Sequence, residues 1–223
     1  MSWRALFRLT TPVLMGYLPL GFAFGLVAAQ MALPVWVPVL MSVLVYSGTN
    51  QFLLLSLWGA GVGTVQILVA VALLSSRHLF YGLSLLHHRF RSRGQKHYTL
   101  YALTDETFSL LVSLPPEQGL ANAGRIAFLN QCYWVGGVLI GALAGHELPL
   151  ALDGLPFALA ALFIVLMVEQ FMQVRQPRYF VQALLMGLLC LWLLPREHFL
   201  LAAIGGCLLL VAGDYLRSRR HEH

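Results

Sequence analysis

Apolar residues follow one another in long runs along this chain, and short polar stretches separate the runs. The stretch 184–194, LLMGLLCLWLL, is typical and shows no alternation of apolar and polar positions. A run of about 20 apolar residues has the length of a helix that crosses a hydrocarbon core about 30 Å thick. A membrane β-barrel would need alternating positions instead. The pattern therefore predicts an all-α membrane protein.

The apolar runs number eight, and no long polar linker separates them. They predict about seven to eight hydrophobic helices in a single transmembrane domain that covers residues 1–223. The runs lie at roughly 8–32, 35–58, 62–86, 98–114, 123–146, 155–172, 179–194 and 199–216.

The composition supports a lipid environment. Of the 223 residues, 59% are hydrophobic and only 10% are charged, whereas a soluble domain carries about 25% charged residues. The net charge of +5 comes from basic residues that lie between apolar runs. The positive-inside bias of membrane proteins explains this placement, so we expect a bilayer and not a nucleic acid as the partner of these residues.

Three basic clusters, at 87–97, 175–178 and 217–220, constrain the topology. If all three are cytoplasmic, the three apolar segments between the first two clusters cannot all cross. The fourth segment, which contains Asp105 and Glu106, is the natural candidate for a broken or re-entrant helix. This layout places Arg4 and Arg8 on the opposite side from the clusters.

Spaced glycines suggest an internal repeat. Gly16, Gly21 and Gly25 recur 120 residues later as Gly136, Gly141 and Gly145. With a non-crossing fourth segment between them, three-segment repeats at about 8–86 and 123–194 would be inverted, as in many secondary transporters. The alternative is that small residues recur by chance in any packed membrane helix.

Two adjacent carboxylates, Asp105 and Glu106, lie inside an apolar stretch. Thr104 before them is a good N-cap, and acids in a first turn complement the positive end of a helix dipole. This interpretation makes the pair a simple helix start. Alternatively the helix starts inside the membrane, and one acid holds a substrate ammonium group or exchanges a proton.

Arg77, His78 and Tyr81 form a second candidate group in the third segment. Arg77 can hold a substrate carboxylate with two hydrogen bonds, and Tyr81 lies about one turn further on the same face. Equally, Arg77 could lie near the cytoplasmic end of its helix and snorkel to the interface.

Two further stretches interrupt apolar helices with residues of poor helix propensity. The stretch 46–51, YSGTNQ, predicts unwinding in mid-segment, and Pro19 in the stretch 16–21, GYLPLG, predicts a kink. Both could contact a polar ligand, or could serve helix packing by small and polar residues. The candidate residues are Ser47, Gly48, Asn50, Gln51, Tyr17, Pro19 and Gly21.

No nucleophile–base pair, nucleotide-binding loop or metal cluster is visible in the sequence, and the three cysteines lie in apolar runs without metal-type spacing. We therefore expect a protein that is not an enzyme, with no catalytic residues, no cofactor and no metal.

Four motifs in order resemble the AzlC family, the large subunit of branched-chain amino acid exporters. They are GYLPLGFAFG at 16–25, SGTNQF at 47–52, RHLFYG at 77–82 and LTDETF at 103–108. Ser75 and the pair Thr49–Asn50 depart from the family pattern, which bears on the substrate and not on the class.

The resemblance implies a multi-pass protein of the bacterial inner membrane that exports valine, leucine, isoleucine and similar amino acids with a small hydrophobic AzlD-type subunit. Export against a gradient needs coupling, so we expect proton antiport, with Asp105 as the leading candidate for the proton carrier. The alternative is a channel-like or scaffold subunit without coupled transport.

Overall fold

The computed structural model of the chain describes residues 1–86, 90, 92–147, 164, 167–168, 171–172, 177–195, 199, 202–211 and 213. Helices dominate these residues and no strand occurs among them, which confirms the all-α class. The helices are α1 (Trp3–Gln30), α2 (Trp36–Leu44), α3 (Gly48–Gly59), α4 (Thr64–Leu86), α5 (Arg93–Tyr101), α6 (Asp105–Ser113), α7 (Pro116–Glu147), α8 (Pro177–Leu193) and α9 (Ala202–Val211).

Two of the described helices, α1 and α7, are long and apolar enough to cross a membrane. With 28 and 32 residues, they span roughly 42 and 48 Å at about 1.5 Å per residue. Helix α1 continues without interruption through Pro12 and Pro19. The count of seven to eight spanning helices stays a prediction.

The chain divides into two compact units. One comprises Met1–Gly59 with Val71–Asp153, and the other comprises Ala60–Ala70 with Gly154–His223. In the second unit Phe171 packs edge-on against Phe180, with ring centroids 5.1 Å apart. The outward side chains of α8 are large and apolar: Trp192, for example, is 84% exposed. Such a surface suits lipid and not water.

Helices α1 and α7 lie side by side and run in the same direction. Contacts advance together along both helices: Met1 with Asn122, Thr10 with Tyr133, Gly21 with Gly137, Gly25 with Gly141, and Ala29 with Gly145. We call the end where both helices begin end A, and the end where both finish end B.

Glycines allow the two backbones to touch. A Cβ on Gly141 would overlap the carbonyl group of Phe22, and a Cβ on Gly25 would overlap the backbone of Val138. A Cβ on Gly21 would lie 2.7 Å from the Trp134 carbonyl oxygen. Small residues at a helix interface are the usual means of close approach in membranes, and here they set the distance between α1 and α7.

Helices α2 and α3 form a hairpin that enters from end B and returns there. The Leu33 carbonyl, just before α2, lies 3.0 Å from His146 Nε2 near the end of α7, whereas the Val43 carbonyl accepts from Gln131 Nε2 in mid-helix. After the turn, Phe52 packs against Phe24, and α3 ends at Gly59 beside Met31. We call α2–α3 hairpin 1.

Helices α5 and α6 form the matching hairpin from end A. Gln95 Nε2 donates to the Leu120 carbonyl near the start of α7, and the Tyr98 hydroxyl donates to Gln131 in mid-helix. On the way back Asn130 Nδ2 donates to Thr107 Oγ1. The Leu111 carbonyl then lies against Gly119. We call α5–α6 hairpin 2.

The predicted inverted repeat is wrong for its first pair of helices. Inverted repeats would make α1 and α7 antiparallel, but the two run parallel. The reason is the second apolar segment, which reverses direction in hairpin 1 instead of crossing, so one traverse, and not two, lies between α1 and α7. The recurring glycines serve the packing of α1 against α7. Most of segment 155–172 lies outside the described residues.

The basic residues also require a correction. The sequence layout separated Arg4 and Arg8 from the basic loop, but the structure places both at end A, together with Arg93, Lys96 and Arg125. Among the described residues of this unit, end B carries Glu147 and no lysine or arginine.

The glycine interface makes a prediction for stability. Gly141→Ala should lower the free energy of unfolding by about 1–3 kcal/mol, because the added methyl group overpacks the interface. Gly136→Ala in the same helix meets no atom within 4 Å and should be neutral or stabilising by about 0.5–1 kcal/mol. Unfolding of the two variants in detergent micelles measures both, and equal stability would contradict the packing described here.

Candidate functional site

The turns of both hairpins meet at the middle of the α1–α7 pair, on either side of Tyr17. The hydroxyl of Tyr17 lies 2.6 Å from Glu106 Oε2 and 2.8 Å from Thr104 Oγ1, both in hairpin 2. The ring of Tyr17 packs edge-on against Tyr46 at the turn of hairpin 1 and against Trp134 of α7. One side chain thus contacts all the elements that meet here.

The N-terminus of α6 is built as the sequence predicts. Helix α6 begins at Asp105, and Thr104 Oγ1 accepts a hydrogen bond from the backbone N–H of Thr107 at 3.2 Å. Two acids therefore occupy its first turn, where the positive end of the helix dipole stabilises them. The cap is confirmed, and it lies in the middle of the bundle.

A chain of polar groups extends from this cap across the bundle. Asn130 Nδ2 of α7 donates to Thr107 Oγ1 at 2.9 Å, and Thr107 Oγ1 lies 3.0 Å from Thr104 Oγ1. Glu106 and Asp105 are half-buried, whereas Thr107 and Asn130 are fully buried. Glu106, and not Asp105, contacts Tyr17 in this chain. A phenol has one proton to donate, and an ionised carboxylate is its stronger acceptor.

Gln51 fixes hairpin 1 to α7. Its amide oxygen accepts from Trp134 Nε1 at 3.0 Å, and its amide nitrogen donates to the Met41 carbonyl at 3.0 Å. Gln51 is completely buried, so these bonds replace the water that its amide would otherwise bind. Gly48 lies against the indole ring of Trp134, where a Cβ would come within 2.7 Å.

Asn50 links hairpin 1 to α4. Its Nδ2 donates to Ser75 Oγ at 2.8 Å. Ser75 is one of the positions that depart from the AzlC pattern, and its role here is to accept this bond. Ser47 is half-buried, and its carbonyl accepts from the N–H of Gln51 as α3 begins.

Three buried polar atoms around the turns have no hydrogen-bond partner within the described part of the chain: the Tyr46 hydroxyl, Asn50 Oδ1 and Asn130 Oδ1. Their residues are 6%, 4% and 0% exposed. Leaving a buried polar group unpaired costs about 1–3 kcal/mol. A polar ligand held between the turns would relieve part of this cost.

The sequence candidates divide into three groups. Tyr17, Thr104, Glu106, Asn50, Gln51, Ser47 and Gly48 lie at or beside the meeting point, with Asp105 at the start of α6. Pro19 is exposed on α1, and Gly21 packs against the backbone of α7. Arg77, His78 and Tyr81 belong to α4, but their side chains lie outside the described residues.

Sequence reasoning missed Thr107, Asn130 and Trp134, and it included Tyr46 only as part of the stretch 46–51. An asparagine inside the long apolar run 123–146 was a usable signal, because a buried amide needs partners. Trp134 gave no signal, since a tryptophan in a membrane helix is ordinary. Among the described residues no cluster of metal-ligating side chains occurs.

Long apolar helices, lipid-type surfaces and a buried polar centre define a helical membrane protein. The chain belongs to the AzlC family: the family model, described as AzlC protein, matches residues 12–148. The match runs from within α1 to the end of α7, which includes both hairpins. No solved structure matches the chain.

Similar proteins occur in several bacteria. An uncharacterized membrane protein of Helicobacter pylori is 31% identical over 91% of this chain and 90% of its own. The branched-chain amino acid transport protein AzlC of Bacillus subtilis is 28% identical over 91% of this chain and 81% of its own. The inner membrane protein YgaZ of Escherichia coli is 31% identical over 80% of this chain and 76% of its own.

The Gln51–Trp134 pair can be tested by a double-mutant cycle. Gln51→Leu leaves the indole N–H buried without a partner and should cost about 1–3 kcal/mol of stability. Trp134→Phe removes that donor, so the double variant should lose at least about 0.5 kcal/mol less than the sum of the single losses. Unfolding in mixed micelles measures the free energy of unfolding of the wild type, the two single variants and the double variant. Gln118→Leu, on the exposed face of α7, is the control. Strictly additive losses would show that the bond does not stabilise hairpin 1.

Proposed function

We propose that this protein exports branched-chain amino acids such as valine, leucine and isoleucine across the inner membrane, in exchange for protons and together with a small hydrophobic subunit. The name of the Bacillus subtilis relative supports the substrate class. The observation that carries the proposal is the meeting of two hairpins, from opposite ends, at a buried polar centre.

This arrangement suits alternating access. In secondary transporters the substrate site lies near the membrane midplane, at broken helices whose termini point at the ligand. Here α3 and α6 both begin at the centre of the bundle. Hairpin 1 closes the path towards end B and hairpin 2 closes the path towards end A. Movement of one hairpin at a time exposes the centre to one side only.

The centre offers groups for each part of an amino acid. Glu106 and Asn130 Oδ1 accept hydrogen bonds and receive the ammonium group. The Tyr46 hydroxyl and the backbone N–H groups at the start of α3 donate to the carboxylate. Phe24, which packs against both Phe52 and Trp134, supplies an apolar wall for the aliphatic side chain. Asp105, the leading candidate from sequence, lies between Thr104 and Glu106, the two residues that bond to Tyr17.

The charge distribution supports an orientation of the protein in the membrane. Because Arg4, Arg8, Arg93, Lys96 and Arg125 lie at end A, the positive-inside bias makes end A cytoplasmic. Hairpin 2 then controls cytoplasmic access to the centre, and Glu106 on this hairpin takes up substrate from inside. A proton that enters from end B neutralises Glu106 after substrate release and resets the site.

Glu106→Gln tests the transport role. Loss of the charge removes a charged hydrogen bond worth about 1.5–3 kcal/mol, so efflux of labelled valine should slow by roughly 10- to 100-fold. Residual efflux should no longer respond to an inward proton gradient. The measurement uses cells that co-express the small subunit, with membrane levels of the protein determined in parallel.

Two matched variants sharpen this experiment. Glu117→Gln removes an exposed carboxylate at the start of α7 and should leave efflux unchanged. Asp105→Asn should impair efflux less than Glu106→Gln does. Normal, proton-dependent efflux by Glu106→Gln would reject the coupling role and favour a channel-like or scaffold subunit.

Orientation can be measured on one helix. Glu117 and Glu147 are both exposed and lie at opposite ends of α7. In a background without the three native cysteines, Glu147→Cys should react with a membrane-impermeant thiol reagent in intact cells. Glu117→Cys should react only after permeabilisation. The reverse labelling would invert the orientation and the proposed direction of hairpin 2.

A further inference from the structure

A cavity lies at end A, away from the centre. Its volume is about 510 Å³, and Trp3, Gln95, Tyr98, Gly124, Arg125 and Phe128 line it. Arg125 precedes Trp134 by nine residues of α7, which is about 13 Å along the helix axis. Arg125 therefore lies well away from the meeting point of the hairpins.

Among the described residues that line the cavity, Arg125 is the one cationic side chain. Gln95 and Tyr98 are occupied by hydrogen bonds to α7, whereas Arg125 is exposed and its guanidinium lies over the ring of Trp3, 5.6 Å from the centroid. That contact leaves the N–H donors at the edge of the guanidinium plane available. Within the described part of the chain, no carboxylate pairs with Arg125.

The surroundings of Arg125 are amphipathic. Trp3 and Phe128 are 54% and 51% exposed, so the cavity opens onto an apolar, lipid-facing surface. Arg4 and Arg93 are exposed next to lining residues in sequence, and none of the described residues that line the cavity is acidic. Arginine holds phosphate with two hydrogen bonds, and aromatic residues favour the headgroup level of a bilayer.

We propose that this cavity binds an anionic phospholipid. The phosphate group lies on Arg125, and the acyl chains follow Phe128 and the ring of Trp3. The cavity is open to the bilayer along Phe128 and positively charged at its rim, which is the combination that a charged lipid requires and a soluble amino acid does not. Binding ties the start of α5 to α1 and α7 through a lipid at end A.

The test is lipid binding to the purified protein in detergent, followed by native mass spectrometry. Wild type should bind phosphatidylglycerol at least about tenfold more tightly than phosphatidylcholine with the same acyl chains. Arg125→Gln should reduce phosphatidylglycerol binding about tenfold, and Arg125→Lys should lie between, because it keeps the charge and loses the two-pronged hydrogen bond.

Arg8→Gln is the matched control, because Arg8 is exposed at the same end but does not line the cavity. It should bind phosphatidylglycerol as wild type does, and all variants should melt at the same temperature without added lipid. Equal losses in Arg8→Gln and Arg125→Gln would reduce the effect to general charge attraction and overturn the proposal. Complete displacement by millimolar inorganic phosphate would also overturn it, in favour of a site for soluble anions.

Discussion

The direct backbone contact between α1 and α7 is the constraint on which the rest of the structure depends. Glycines at 21, 25, 137 and 141 bring the two backbones into direct contact, so the two long helices form a closely packed parallel pair. Each hairpin packs against this pair from one end, and both hairpin turns reach its middle. The position of the polar centre follows from the length of the hairpins and not from any single polar residue.

The buried polar groups then decide how the hairpin turns are held. Backbone that is not helical needs hydrogen-bond partners at this depth, and the chain supplies them from side chains: Thr104 caps α6, and Gln51 binds the carbonyl of Met41. Residues with poor helix propensity are therefore required at both turns. The two hairpin turns therefore have two effects: they bring the polar side chains together at the centre, and they leave some polar atoms there without a partner among the described residues.

The all-α fold class and most residues of the candidate site could be predicted from the sequence, whereas the direction in which each apolar segment runs could not. The helix break at 46–51 and the helix start at Thr104 can be predicted from composition, because few residue types favour the end or the beginning of a helix. Neither stretch reveals whether the chain continues onward or turns back, since that depends on contacts with α7. Counting the membrane crossings between basic clusters placed Arg4 and Arg8 on the wrong side for the same reason. One undetected reversal in hairpin 1 changes the side that is assigned to one part of the chain relative to the other. Trp134 and Asn130 act through partners more than 20 residues away in sequence, which no local pattern can reveal.

The attachments of the two hairpins are unequal, and this has a thermodynamic consequence. The turn of hairpin 1 is held to α7 by the fully buried amide of Gln51, whose bonds involve no charge. The turn of hairpin 2 is held to α7 by the buried Asn130–Thr107 bond, and to α1 by the bonds from Tyr17 to Thr104 and to the half-buried Glu106. The bond to Glu106 is the charged one, and a charged hydrogen bond contributes about 1.5–3 kcal/mol. A ligand that replaced Tyr17 as the partner of Glu106 would therefore weaken the closed state of hairpin 2 and leave the bonds of hairpin 1 unchanged.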